Sequence, residues 1–197
     1  MVISIILCFP ILSQAVPPKK ITKTKIIKYV PPIPSEEREG SCWTNSNIIR
    51  RSDVWRCMIG NEIFDPCYTV QDKTTIVCGA RPDNKEPSGF ILKLTNPLPT
   101  PDVAKGPSSS ASMIELEDGT MCDFISGASG ATDGVRNKRV GYSCRISSQN
   151  IVIFGDIQPG KVWFAEKGVL VEQKTSDDMP PYLVKDLQKV KIRTVWQ

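Results

Sequence analysis

The chain has 197 residues, a formal net charge of +4, a hydrophobic share of 40%, seven cysteines and no histidine. Without an imidazole it cannot assemble a Ser-His-Asp triad, a Cys-His dyad or an H-E-x-x-H zinc site, which removes the commonest secreted hydrolases. It also contains no S-x-x-K, no G-x-S-x-G and no Gly-rich phosphate loop, so penicillin-recognising, α/β-hydrolase and nucleotide-binding chemistries fail as well.

Taken from the start, MVISIILCFPILSQA carries an apolar run from Val2 to Leu12, followed by small residues at Ser13 and Ala15. The run is too short for the roughly 20 residues that span a bilayer, and 1–15 reads as a signal peptide that is removed with Cys8. Residues 16–39, VPPKKITKTKIIKYVPPIPSEERE, follow with proline and lysine but no helix or strand period. They read as an extended, solvated tether whose lysines could rest on an anionic surface. Basicity concentrates there: residues 16–40 hold six basic and three acidic side chains, while 41–197 hold nineteen and eighteen. A nearly neutral globular part without aromatic-basic interleaving gives no support for nucleic-acid binding.

Residues 40–197 have the length of one domain with a substantial core. Its cysteines are Cys42, Cys57, Cys67, Cys78, Cys122 and Cys144, an even number in a chain read as exported, which predicts three disulfides. No C-x-x-C pair and no histidine support a metal site, and no cofactor is expected. Cys122 and Cys144 pair most securely, across a Gly-rich return. For the other four, the sequential pairing Cys42 with Cys57 and Cys67 with Cys78 stands beside a crossed one.

The segment Asp53–Ile59 is expected as a short helix capped by Ser52 and ended at Gly60-Asn61, with Asp65-Pro66 turning the chain afterwards. Strands are expected at 74–78, 90–94, 112–116, 140–144, 151–154, 161–165 and 190–196, where valine, isoleucine and aromatics recur. Asp118-Gly119 marks a hairpin. The patch 96–112 reads as a loop, and a second helix is expected over Pro181–Gln188. The fold class is mainly β (α+β): a twisted antiparallel sheet or small barrel with one or two short helices, stapled by disulfides.

Acidic side chains are the remaining route to catalysis, because a glycosidase needs only two placed carboxylates; Glu62, Asp65, Asp156 and Glu166 are the candidates. Asn61, Glu62 and Asp65 also form a candidate binding or turn site. In the loop SGASGATDG, Asp133 lacks the ligand count of a calcium loop. Trp43, Trp55, Trp163 and Trp196 could stack on sugar rings, with core packing the default for each.

The motifs GSCW, W-R-C-M-x-G-N-x-x-x-D-P-C and ELEDGTMC, with GYSC and VWFAEK after them, resemble in order a group of uncharacterised exported bacterial proteins. The resemblance spans nearly all of 40–197 and includes all six mature cysteines. It implies an extracytoplasmic bacterial domain and no particular activity. The expected function is a secreted or envelope-attached, non-catalytic domain that binds a ligand or protein at the cell surface; the alternative is a histidine-free carbohydrate-active enzyme that uses two carboxylates.

Overall fold

Side chains that alternate between inward and outward faces define most of the secondary structure, as at Val140–Cys144, where Val140, Tyr142 and Cys144 are buried and Ser143 is exposed. The computed structural model describes residues 21–70, 74–103, 110–125, 131–132, 139–145, 150–172 and 182–197. The expected signal peptide with Cys8, the first five residues of the expected tether and Asp133 lie outside them. Among the described residues there are thirteen strands and no helix.

After the short strand β1 (Lys25–Ile27), five strands close into a small barrel: β2 (Glu37–Asn45), β3 (Val54–Ile59), β4 (Glu62–Thr69), β5 (Ile76–Cys78) and β6 (Phe90–Leu94). Each runs antiparallel to the next, and an odd count leaves β2 and β6 pointing the same way, so they meet in parallel. The interior holds Cys42, Trp55, Cys57, Cys67, Ile76, Cys78, Phe90 and Leu92. Gly89 lets β5 and β6 approach at their joining loop: its φ is +85° and a Cβ there would lie 2.1 Å from the Cys78 carbonyl oxygen.

The second sheet runs through β7 (Met113–Leu116), β8 (Met121–Phe124), β10 (Val140–Cys144), β11 (Ile151–Phe154), β12 (Trp163–Glu172) and β13 (Tyr182–Trp196). Because β13 also pairs with β7, the path closes, and with an even number of strands every neighbouring pair is antiparallel. Short β9 (Ala131–Thr132) joins the start of β13 in parallel. Ile114, Leu116, Tyr142, Ile153, Trp163, Ile192 and Val195 form the centre of this core. The span read as one domain thus contains two barrels.

A satellite core of Ile48, Ile49, Val54 and Tyr68 joins the barrels, with Tyr29 and Phe124 packed against it. The Tyr68 hydroxyl is 3.2 Å from the Ser112 hydroxyl. At the same junction Arg81 donates to both oxygens of Asp123, at 2.8 and 2.7 Å, and Arg145 bonds to Asp83 and Asp123. Burial pushes the Asp83 carboxyl up, but the Arg145 hydrogen bond and the charges of Arg145 and Arg81 outweigh it and hold the group below its ordinary range.

Three expectations of local structure are corrected first. Over Asp53–Ile59 the chain is strand from Val54 on, because Cys57 lies opposite Cys42 on one side and Phe64 on the other. Over the described part of Pro181–Gln188 it is β13: Lys167 faces Gln188 but Val169 faces Lys185, so β13 carries an extra residue there, with Asp186 at φ 53°. That bulge puts Val184 and Leu187 on the same core, and an i, i+3 apolar pair in the sequence imitates a helix. Asp65-Pro66 is likewise inside β4, joined by a cis peptide bond, and not a turn between elements.

The tether expectation fails from residue 21 onward. Within it, β1 pairs in parallel with the end of β13, Lys25 to Thr194 and Ile27 to Trp196. Thr24 is 2% exposed: its hydroxyl donates to the Ile192 carbonyl at 2.7 Å and accepts the Trp163 N–H at 2.7 Å. Tyr29 meets Tyr68 edge to face with centroids 5.4 Å apart, and Arg51 donates to the carbonyls of Tyr29 and Gln197, both at 2.8 Å. The three-residue strand is too short to show a period, and its partner lies about 170 residues away in sequence.

Candidate functional site

Cross-strand position decides the cysteine chemistry. Cys42 is bonded to Cys57, Cys67 to Cys78 and Cys122 to Cys144, and each pair consists of directly facing residues on paired strands, with Cα atoms 3.9, 4.2 and 3.9 Å apart. The sequential pairing is therefore the one observed. The sulfurs of Cys57, Cys67 and Cys78 lie within 4.8 Å of one another. All three are consumed in disulfides, and a disulfide sulfur is not the thiolate that binds a metal.

The β3–β4 hairpin carries the candidate trio without gathering it. Gly60 takes φ +55° at the tip, as its place before Asn61 predicts, and Asn61 and Glu62 are exposed beside it. Asp65 sits further along β4 and is partly buried. It accepts the Ser46 hydroxyl and, at 3.1 Å, the Asn47 N–H. The Ser46 oxygen in turn accepts the N–H groups of Ile48 and Ile49, both at 3.0 Å. With its lone pairs so occupied, Ser46 is a brace for the loop after β2 and offers no nucleophile. Burial raises the Asp65 pKa above the ordinary carboxylate value; the Ser46 and Asn47 bonds and the charge of Arg56 pull the other way and lose.

The four acids considered for catalysis divide between the barrels. Glu62 and Asp65 lie on β4, while Glu166 is on β12 and Asp156 follows β11 in the second sheet. Among the tryptophans, Trp55 and Trp163 are buried, with the Trp55 indole donating to Thr69 at 2.8 Å, and Trp196 is half-buried. Trp43 departs from the core default at 44% exposed.

Two irregularities place Trp43 beside Arg56. Cys42 faces Cys57 but Thr44 faces Arg56, so Trp43 is an extra residue on β2. On the other flank Trp55 faces Cys67 and Cys57 faces Phe64, so Asp65 and Pro66 together oppose Arg56. Bulges re-aim side chains and concentrate next to functional sites. Here the Arg56 guanidinium carbon lies 5.6 Å from the Trp43 ring centroid, and Arg56 Nε is buried without a hydrogen-bond acceptor among the described residues. One row further along, Met58 pairs with Ser41 and with Ile63, and Met58 and Ile63 are 37% and 45% exposed.

The outer face of β2, β3 and β4 thus presents two rows, Trp43–Arg56–Asp65 and Ser41–Met58–Ile63. Reading from sequence alone singled out Asp65 and named Trp43 but missed Arg56, Met58 and Ile63. The only available signal was the Trp-Arg-Cys-Met run, whose alternation places Arg56 and Met58 on one face once it is read as a strand. No family model matches the chain, and no curated protein or solved structure does.

Proposed function

We propose that this protein is a non-catalytic binding domain that acts outside the cytoplasm, secreted or attached to the cell envelope. The observation that carries the reading is the exposed face around Trp43, Arg56, Met58 and Ile63, which lies on the outside of the five-stranded barrel, while the interiors of both barrels are filled. Three disulfides are compatible with an extracellular location. The apolar start of the chain and the resemblance of its cysteine motifs to exported bacterial proteins support the same compartment. Exposed lysines at Lys23, Lys25 and Lys28 could add contact with an anionic surface.

The test is co-sedimentation of the mature chain with envelope fractions of the producing cell, run beside a reducing-sugar release assay on the same fractions. Saturable sedimentation without sugar release is expected. Sugar release that is abolished by Glu62→Gln, Asp156→Asn or Glu166→Gln would replace this reading with the two-carboxylate enzyme.

A further inference from the structure

We propose that the outer face of β2–β3–β4 centred on Arg56 docks a protein partner that presents an acidic side chain among apolar ones. The inference rests on the binding-domain reading and names its surface and the partner's chemistry. Arginine pairing across the molecule gives the first argument. Arg38, Arg51, Arg81, Arg145 and Arg193 each bond to a carboxylate. Arg56 lies over the Trp43 ring and near the charge of Asp65, but its Nε has no hydrogen-bond acceptor among the described residues.

The neighbouring carboxylate of Asp65 is already engaged by Ser46 and the Asn47 N–H, and its raised pKa reflects burial that Arg56 does not overcome. The guanidinium is therefore a positive charge with no carboxylate bonded to it among the described residues, and the partner's acidic side chain would supply one. An unsatisfied buried donor in a native structure asks for such an explanation.

Composition supplies the second argument. Tryptophan, arginine and methionine are the side chains enriched where proteins meet, and a central aromatic-arginine pair ringed by apolar contacts is the usual form of a binding hot spot. A saccharide would use the Trp43 ring and Arg56 but has little use for the aliphatic row of Met58 and Ile63, which a protein surface would cover. The Trp43 ring already supports the guanidinium, so an incoming carboxylate would meet a charge held in place rather than one on a mobile stem.

The experiment places a photo-crosslinking amino acid at Met58 of the full mature chain, with a control at Tyr182, which is exposed on the second barrel. Envelope fractions of the producing cell are irradiated and adducts mapped by mass spectrometry. The expected result is a peptide adduct at position 58 and not at 182, containing an aspartate or glutamate. The yield should fall at least roughly ten-fold with Arg56→Gln and with Ile63→Glu, which sets a like charge against the partner, and should survive Ile63→Lys. Ile63 is exposed, so its variants test the surface even if Arg56→Gln disturbs the barrel. A glycan adduct, an equal yield at 182, or a yield unchanged by both Arg56→Gln and Ile63→Glu would overturn the proposal. If the chain sediments with the envelope but forms no adduct at 58, this surface fails and the binding-domain reading stands; if it neither sediments nor cross-links, both fail.

Discussion

Thr24 holds the amino-terminal strand to the second barrel, and its hydroxyl is the point at which that role is best tested. It donates to the Ile192 carbonyl and accepts the Trp163 N–H, both at 2.7 Å, while its own N–H donates to the Lys161 carbonyl at 3.0 Å. Thr24→Val keeps the shape and strands two main-chain groups in a site that is 2% exposed. A buried polar group left unpaired costs about 1–3 kcal/mol. A carbonyl with a second lone pair suffers less than an N–H, so about 2–4 kcal/mol is expected in all.

For a chain of this size 1 kcal/mol moves the melting temperature by about 2–4 °C, and Thr24→Val should therefore melt roughly 5–15 °C below the parent. Thr24→Ser retains both hydrogen bonds and loses one buried methyl, about 1 kcal/mol, so it should fall between the two. Thermal melts followed by far-ultraviolet circular dichroism give the order. A chain beginning at Gly40, which loses β1, Thr24 and the Tyr29–Tyr68 contact together, should fall further still. If Thr24→Val melts at or above Thr24→Ser, the strand is not seated by this hydroxyl and the reasoning fails.

A chain beginning at residue 21 should take up no alkylating label when denatured without reductant, since all six of its cysteines are paired; two or more adducts on intact mass would refute it. Replacing Cys122 and Cys144 together by serine should cost about 2–5 kcal/mol, read by urea melts. Gly60→Ala meets nothing within 4 Å and bears only the left-handed backbone cost of about 1–2 kcal/mol, whereas Gly89→Ala adds the clash with the Cys78 carbonyl and should be clearly worse in the same melts. Burial pushes Asp118 up, but hydrogen bonds from Lys167 and Thr120 and the Lys167 charge bring its pKa down to about 2. That depression stabilises the fold above the free value of 3.8 and is lost as pH falls through about 2. The Asp118 side chain is 47% exposed, so solvent screens the pair, and the melting difference between parent and Asp118→Asn should reflect under about 1 kcal/mol at pH 6 and vanish near pH 2. Asp65→Asn should cost about one hydrogen bond, about 1 kcal/mol, and Glu62→Gln at the exposed tip should melt like the parent.

What the sequence made legible follows from the range of each interaction. Strands at 140–144 and 151–154 were readable because Val140, Tyr142, Ile151 and Ile153 alternate or run together without interruption. The Asp118-Gly119 hairpin was readable because one dipeptide encodes it; Gly119 has φ +87° and Leu116 N–H bonds to Thr120 at 2.8 Å. The two helix misreadings share one cause. At Asp186 and around Arg56 an extra residue shifts the alternation, and a shift of one residue exchanges the faces of everything beyond it. A bulge is set by what lies on the neighbouring strand, which local periodicity does not contain. For the same reason Asp65 could be singled out as a polar residue in a dense motif, while its engagement with Ser46 and its distance in role from Glu62 could not.

Under the proposed binding function, the architecture favours recognition on the outside of the barrels. Five or six strands closed into a barrel leave room only for their own side chains, and here the two interiors are occupied by disulfides, Trp55 and Phe90 in one and by Tyr142, Trp163 and Ile192 in the other. Closure removes free edges, so among the described residues strand addition is open at the short flanking strands β1 and β9. The junction between the barrels is filled by Tyr29, Tyr68 and Phe124 and locked by Arg81, Asp83, Asp123 and Arg145. In the proposed binding function, recognition would fall to convex outer faces, where a bound surface contributes by covering apolar side chains and completing unpaired charges. On the β2–β3–β4 face both conditions meet: Met58 and Ile63 are exposed in register, and Arg56 stands between two bulges without a carboxylate bonded to it among the described residues.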